Sequence, residues 1–470
     1  MNRRHFLATT SGLLASLVTS RTHAAPTKPN VVLVLIDDLG YKDLGCYGGD
    51  LFETPHIDQL ATEGMRFTQA YANCPVCSPS RAALMTGKNP ARTGFTGHIT
   101  AIGRHRHPEK SRIIPPQDKM YLPHAEESIA ELLKPQGYVS ASIGKWHLGE
   151  EGHWPEDQGF DENIGGWTHG SPPTYYYPYK KPQKKWNPDI PTLAEGKPGE
   201  YLTDRLTEEA LGFIERQQEN PFFLYLTLYA VHTPLEAPGN LAEKYRKKFA
   251  GKETGIHPAY AAMVENMDRN IGRVLEKLKA LGLEENTLVI FTSDNGGLED
   301  SAVQKPLREG KGTLYEGGIR VPLIAKWPGH IPANQMTDQL SMGTDLFPTI
   351  AAATGATPQD PTQLDGYDLT PTLTEGKTVA RKPQVWYYPH YHSKSMRPGA
   401  AIRKGRYKLI ETYDPVDLAL YDLEADLSET TNLAEKMPDK AKELLADLHA
   451  YLDTVLEVRH TPNPAWDGQA

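Results

Sequence analysis

The run Cys77-Ser78-Pro79-Ser80-Arg81-Ala82-Ala83-Leu84-Met85-Thr86-Gly87 sets a thiol at the mouth of a short helix. Pro79 suits a first helical turn, Ala82 to Met85 are good helix formers, and Gly87 can end the run. Backbone N–H groups at a helix start attract anions, and Arg81 adds a fixed, forked cation. A cysteine placed there holds an anionic ester against a nucleophile, or is itself altered into one. Plainer readings compete with this. A lone cysteine is most often a small buried hydrophobe, and Cys74-Pro75-Val76-Cys77 also spells a C-x-x-C redox or zinc pair. A zinc ribbon needs a second pair, whereas the only other cysteine is Cys46. A redox pair leaves the following Ser-Pro-Ser-Arg unexplained.

Polar residues of other types stand just past apolar runs that read as strands. Asp37 and Asp38 follow Val31 to Ile36, Lys145 and His147 follow Val139 to Ile143, His232 follows Phe222 to Leu228, and Asp294 and Asn295 follow Leu288 to Thr292. In an open α/β sheet the C-terminal strand ends converge on one crevice where ligands bind, so these separate motifs can build one site. Asp37, Asp38, Asp294 and Asn295 are hard oxygen donors, suited to Ca²⁺ or Mg²⁺ rather than zinc. Each pair alone also reads as a solvated turn. Together they favour a metal, because clustered carboxylates without a cation repel one another.

Helices are expected over Gln59 to Tyr71, Glu127 to Lys134, Leu202 to Arg216 and Ala259 to Leu281, the last with an apolar stripe of Met263, Met267, Ile271, Val274 and Leu278. Their alternation with the strands predicts an α/β fold: a large, mainly parallel sheet flanked by helices on both faces. The tail reads as a second unit, a small antiparallel sheet with strands near Val385 to Tyr388, Ala400 to Glu411 and Ala419 to Asp422, closed by a helix over Asp439 to Leu456. The expected division is 1–24 as a signal peptide, 25–370 as the catalytic domain and 371–470 as the C-terminal subdomain.

With 50 basic and 59 acidic residues the net charge is -9, which argues against a general nucleic-acid binder. Three cysteines exclude a disulfide scaffold. Asn2-Arg3-Arg4-His5-Phe6-Leu7 precedes an apolar run from Ala8 to Val18, and Thr22-His23-Ala24 offers a small-residue cleavage site. That run is too short to span a bilayer, so it reads as an export signal and not an anchor. Its paired arginines resemble a twin-arginine signal, with an ordinary basic n-region as the alternative. The mature chain is then expected in the periplasm or the medium.

The Cys77 run resembles the signature of the type I, formylglycine-dependent sulfatases of the alkaline phosphatase superfamily, and the chain as a whole is similar to exported bacterial arylsulfatases and N-acetylgalactosamine-sulfatase-like enzymes. Gly137-Tyr138-Val139-Ser140-Ala141-Ser142-Ile143-Gly144-Lys145-Trp146-His147 matches a second signature of that family. Lys311, within Gly310 to Pro322, falls on a third motif, and His232, within Ala230 to Pro234, on a fourth. The resemblance implies that a maturase oxidises Cys77 to formylglycine (3-oxoalanine), whose hydrate is the nucleophile. It implies a divalent cation, most often calcium with magnesium as the alternative, held by Asp37, Asp38, Asp294, Asn295 and residue 77. Arg81, Lys145 and Lys311 would offset charge on the sulfate, and His232 and Lys311 would serve the leaving alcohol oxygen. His147 would take a proton from the second hydroxyl of a sulfo-enzyme intermediate, expelling sulfate.

The expected substrates are sulfate monoesters on galactose or N-acetylgalactosamine units of a polysaccharide such as carrageenan or chondroitin. Alternatives are a phosphonate or phosphate monoester hydrolase of the same superfamily, or a non-catalytic sulfated-glycan binder if Cys77 stays unmatured. His169 and Ser171 fall in the region that lines the pocket in relatives, and His390 and His392 end an aromatic run suited to gripping a sugar. Arg104, His105, Arg106, His107, Lys110 and Arg112 form a basic cluster that either attracts a polyanionic glycan or is a solvated loop.

Overall fold

In the computed structural model, residues 28–99, 111–181, 189–298, 301–391, 397–456 and 459–468 are described. The expected signal peptide, the cluster residues Arg104 to Lys110 and His392 lie outside them. Among the described residues, no helix is long and apolar enough to cross a membrane.

Eight strands form the central sheet: β1 (Asn30–Ile36), β2 (Met65–Phe67), β3 (Val139–Gly144), β4 (Glu162–Ile164), β5 (Phe222–Leu228), β6 (Thr287–Ser293), β7 (Leu323–Lys326) and β8 (Gln335–Thr337). Their spatial order is β8-β2-β7-β6-β1-β5-β3-β4. β1 pairs in parallel with both β5 and β6, setting Val31 opposite Phe223 and Leu288. β3 is parallel to β5 and β4, while β7 is antiparallel to β6 and β2 and so is the strand that runs against the others. The sheet is therefore mainly parallel, as the alternation of elements predicts.

The helices that matter for the site are α1 (Pro55–Thr62), α2 (Cys77–Thr86), α3 (Ile129–Leu133), α4 (Leu202–Arg216) and α5 (Pro258–Ala280). Strand periodicity explains why β1 is apolar at every position from Val31 to Ile36, since alternate side chains face two covered sides. Val32, Val34 and Ile36 pack with Leu206 and Phe213 of α4 and Met263, Met267 and Ile271 of α5. Val31, Leu33 and Leu35 pack with Ala82, Leu84 and Met85 of α2 and with Ile129 and Leu132 of α3.

Two expected helices are shorter than their patterns. The run Gln59 to Tyr71 contains only the end of α1, followed by β2 and a two-residue strand at Ala70–Tyr71. Gly64 forces the change, because a Cβ there would lie 2.2 Å from the Ala325 carbonyl oxygen of the paired strand β7. The helix expected from Glu127 begins at Ile129 because Ser128 caps it, its hydroxyl accepting from Glu131 N while Glu131 accepts from Ser128 N. Pro135 lacks the N–H that would continue it, and Lys134–Gln136 closes as a 3₁₀ turn.

At the C-terminal end β9 (Gln384–Tyr388), β10 (Gly399–Lys404), β11 (Tyr407–Tyr413) and β12 (Val416–Asp422) form an antiparallel sheet, covered by α6 (Pro438–Val455). The expected single strand Ala400 to Glu411 is a hairpin that turns at Gly405 and Arg406. Val385 and Tyr387 face Leu444, Leu448 and Leu452 of α6, whereas Trp386 and Tyr388 face Tyr71, Cys74 and Val76 beside the thiol-bearing helix. Lys408 of β11, fully buried, joins this sheet to the body of the protein through Glu316 (3.0 Å) and Glu429 (2.9 Å). Removing one partner of a buried ion pair leaves an uncompensated charge, at a cost of about 3–5 kcal/mol. Lys408→Met is expected to lower stability by about that amount, read as a lower urea midpoint. Adding Glu429→Gln is expected to restore part of the loss.

Candidate active site

The expected strand-end residues do converge. Asp37 and Asp38 follow β1, Lys145 follows β3, and Asp294 and Asn295 follow β6; all five are buried. Lys145 Nζ donates to both oxygens of Asp37 (2.8 and 2.7 Å). Arg81, one turn into α2, donates from Nε to Asp294 Oδ2 (2.8 Å) and from Nη1 to Thr227 Oγ1 (2.6 Å) and the Lys145 carbonyl (3.0 Å). Lys311 comes from a loop pinned by two backbone bonds, Lys311 N to Gly297 O (2.9 Å) and Gly312 N to Pro75 O (2.8 Å). Its Nζ lies 2.6 Å from Asp38 Oδ1 and 3.1 Å from Cys77 Sγ. The Cys77 sulfur is itself 3.5 Å from Asp37 Oδ1 and 3.9 Å from Asp38 Oδ1.

Two histidines flank this centre. His232 Nδ1 lies 2.9 Å from the Thr233 carbonyl oxygen, which can only accept, so Nδ1 carries a proton and Nε2 stands 3.5 Å from Asp38 Oδ2. His147 Nε2 faces the Ile99 carbonyl at 3.3 Å, and the same reasoning leaves Nδ1 unprotonated beside Ser78 Oγ (3.3 Å). Burial, assisted by His98, Lys145 and Arg81, holds the His147 imidazole well below its ordinary value, so it is neutral. Burial also pulls His232 down to about 4 against the opposing charge of Asp38.

Desolvation is the dominant force on the acidic groups. It raises Asp37 to about 7, against Lys145 and with the push of Asp294 and Asp38. Asp38 is buried equally, but Lys311, His232 and Lys145 hold it below the usual carboxylate range. Asp294 is likewise buried, and Arg81 and Lys145 keep it low. Burial pushes the Cys77 thiol up to about 12 despite Lys145 and Lys311.

The donor set fits a hard cation. Asp37, Asp38, Cys77 and Asp294 each offer an atom within 4.8 Å of the others. Asp38 Oδ2 and Asn295 Oδ1 are buried and accept no hydrogen bond from the described residues, while Asn295 Nδ2 is already spent on Asp38 Oδ1 (2.8 Å). Two buried acceptor oxygens left over beside three carboxylates are what an oxygen-liganded divalent ion would satisfy.

The expected substrate residues are placed differently from one another. His169 stacks on Trp167 at 4.4 Å, and with Ser171 it flanks Gly170, where the space a Cβ would take is filled by the His147 ring. The ring of His390 is buried at the Thr96 hydroxyl (2.8 Å), on the loop that leads to His98. His98 itself is a site residue the sequence does not announce: its ring meets His147 edge to face at 4.6 Å. No periodicity or strand end marks it. Thr227, the penultimate residue of β5, was legible only as a strand residue, yet it receives Arg81.

A thiol at a helix start, ringed by buried carboxylates and ammonium groups at the ends of parallel strands, defines a metal-assisted hydrolase of anionic esters. A family model described as Sulfatase matches residues 29–356, and one described as N-sulphoglucosamine sulphohydrolase, C-terminal, matches 310–457. N-acetylgalactosamine-6-sulfatase of Rattus norvegicus is 39% identical, over 80% of this chain and 70% of that protein. A protein of Formosa agariphila described as a sulfatase is 33% identical, over 97% of this chain and 93% of its own length. Among solved structures, Ps i-CgsB in complex with k-i-k-neocarrahexaose superposes with a TM-score of 0.78 at 30% identity, covering 94% of this chain and 95% of that one. The chain belongs to the sulfatase family, and it is a sulfuric ester hydrolase.

Gly170 gives a direct test of the site's geometry. A Cβ there would fall 2.4 Å from His147 Cε1 and 2.6 Å from Nδ1, so Gly170→Ala must displace that ring. Displacing a reacting group by about 1 Å costs on the order of 100-fold in rate. We expect a loss of that size in kcat/KM, with the thermal unfolding midpoint little changed because the ring moves within the pocket.

Proposed function

We propose that this enzyme removes sulfate from galactose or N-acetylgalactosamine units of a sulfated polysaccharide, after a maturase has oxidised Cys77 to formylglycine. The observation that carries the reading is the position of Cys77: first residue of α2, with Lys311 Nζ at 3.1 Å and Asp37 Oδ1 at 3.5 Å from its sulfur. A structural cysteine has no need of an ammonium group and buried carboxylates around it. The sugar preference is supported by the relative described as N-acetylgalactosamine-6-sulfatase and by the structure solved with k-i-k-neocarrahexaose.

Asp37, Asp38, Asp294, Asn295 and residue 77 would hold the cation, for which calcium suits the all-oxygen set and magnesium is the alternative. When bound, the cation neutralises the carboxylates and polarises sulfate oxygens, and the hydrated aldehyde supplies an oxygen nucleophile. Lys145 and Lys311 offset the negative charge that grows on the sulfate oxygens as the ester bond loosens. Lys311 stays charged because Asp38, Asp37 and Asp294 outweigh its burial, so it can donate to the leaving alcohol oxygen. Neutral His232, its one proton held on Nδ1 by the Thr233 carbonyl, borders the same oxygen through an unprotonated Nε2 and is a contact there and not a donor. Neutral His147, with Nδ1 unprotonated, takes a proton from a hydroxyl of residue 77. Arg81 orients Asp294 and fixes the start of α2.

Export is part of the same reading: residues 1–24 act as a signal peptide, and the mature chain, with 25–370 as catalytic domain and 371–470 as C-terminal subdomain, works in the periplasm or outside the cell.

Incubating matured enzyme with defined sulfated saccharides, and identifying both released sulfate and desulfated sugar, tests the activity. Cys77→Ala is expected to release no measurable sulfate, and normal turnover by that variant would sink the assignment. Faster turnover of an aryl phosphate than of the matched aryl sulfate would move the enzyme to the phosphoester branch. Chelation is expected to abolish activity reversibly, with Ca²⁺ restoring it. The same treatment should lower the unfolding midpoint, because a ligand at 100 times its Kd contributes about 2.7 kcal/mol of stability.

A further inference from the structure

We propose that, before Cys77 is oxidised, its thiol joins His98 and His147 in a site for a borderline-soft divalent cation such as Zn²⁺, so that maturation of residue 77 changes which metal the pocket selects. This rests on the formylglycine reading of residue 77. The sulfur sits between two donor sets of opposite character. On one side are the oxygens of Asp37 (3.5 Å) and Asp38 (3.9 Å). On the other, Cys77, His98 and His147 each offer one ligand atom, all within 4.8 Å of one another.

Zinc takes sulfur at about 2.3 Å and imidazole nitrogen at about 2.0–2.1 Å in a tetrahedron, which puts donors roughly 3.5 Å apart. Side-chain rotations that bring these atoms about 1 Å closer therefore complete three corners, leaving a fourth for water. The two imidazoles are already neighbours, their ring centres 4.6 Å apart. His147 also has one nitrogen engaged by a backbone carbonyl (Ile99 O, 3.3 Å), as zinc-bound imidazoles usually have, and its unprotonated Nδ1 faces the rotatable hydroxyl of Ser78 (3.3 Å), which a metal ion would displace. The loop carrying His98 is fastened on both sides of it. Thr96 N and Gly97 N donate to Asp118 (2.7 and 2.8 Å), and Ile99 N donates to Ser78 Oγ (3.2 Å) in the first turn of α2.

Ligand chemistry then separates the two states. A thiolate with two imidazoles is a donor set for zinc, and three carboxylates with an amide are a donor set for calcium or magnesium. With sulfur at residue 77 both sets are complete. Replacing it with the oxygens of a hydrated aldehyde removes the soft donor from the first set and adds a hard one to the second. Binding involves no redox step: the thiol loses its proton to solvent as the Zn–S bond forms, and one proton is released per ion.

Cobalt(II) is a suitable probe, because a thiolate ligand gives it a charge-transfer band that oxygen ligands do not. The full chain is made in a host without a maturase, its intact mass is checked for an unmodified Cys77, and Co²⁺ is titrated in excess Ca²⁺, then displaced by Zn²⁺. One equivalent of Co²⁺ giving a thiolate band, displaced by Zn²⁺, is expected. The band should be absent from Cys77→Ser and from matured enzyme, and kept by Cys74→Ser. His98→Ala and the milder His98→Gln should each weaken binding at least tenfold, with folding followed by thermal unfolding. Bound Co²⁺ without a thiolate band, a band lost in Cys74→Ser, or unchanged affinity in both His98 variants overturns the proposal. Sulfate release by matured enzyme is measured separately and decides the sulfatase reading on its own.

Discussion

Everything at this site depends on how three carboxylates are kept at the dry ends of adjacent strands. Asp37, Asp38 and Asp294 have essentially no exposure, and moving an ionised carboxylate out of water costs several kcal/mol even after relaxation. Each carboxylate is therefore assigned a cation: Lys145 on Asp37, Lys311 on Asp38, Arg81 on Asp294. Those three cations therefore line the pocket as a consequence of balancing its carboxylates. Without a metal the balance is incomplete, since burial still lifts Asp37 to about 7 and acceptor oxygens on Asp38 and Asn295 go unsatisfied. Charge balance and catalysis are thus one requirement, and a bound divalent ion serves both.

The sheet makes the arrangement affordable. β1 lies between β5 and β6, so Asp37 and Asp294 leave neighbouring strands in register, Ile36 opposite Ser293. α2 packs on one face of the same sheet through Ala82, Leu84 and Met85, which aims its first turn, and therefore Cys77, at those strand ends. The helix has no side-chain cap there, because the residue before Cys77 is Val76, without a side-chain oxygen. Its N-terminal N–H groups thus lack a side-chain partner at Val76, the arrangement that suits a helix start to an anion.

Strand ends, and the thiol at a helix start, were the parts of the site that sequence alone disclosed. A continuous apolar run followed by Asp-Asp or Ser-Asp-Asn is visible without coordinates, since burial on both faces writes itself into every position of the strand. The long amphipathic helices were equally visible: α4 begins and ends where its apolar pattern does, and α5 within a residue of it. What escaped was set by contacts distant in sequence. Gly64 ends a helical pattern only because Ala325 lies against it. His98 enters the site because its loop is bonded to Asp118 and to Ser78, and Thr227 because Arg81 reaches it. A one-dimensional pattern holds no record of such partners.

Lys311 shows how far the site's dependence extends. It lies five residues before Glu316, and both belong to one motif whose purpose is unreadable from the sequence around it. In the fold, Glu316 accepts from Tyr71 (2.6 Å), Arg320 (3.1 Å) and Lys408 (3.0 Å), and its own N–H donates to Glu429 (2.7 Å). Lys408 belongs to the C-terminal sheet, and Tyr71 stands six residues before Cys77. The loop that brings an ammonium group to the thiol is therefore anchored in the same buried network that docks the C-terminal sheet. Loops are mobile unless tied down, and an ammonium group must be held within a fraction of an ångström to favour a transition state over a ground state. The C-terminal sheet thus helps hold the loop that sets Lys311 Nζ beside Cys77 Sγ, while the sulfur's own hydrogen-bond partners among the described residues, Asp37, Asp38 and Lys311, come from outside that sheet.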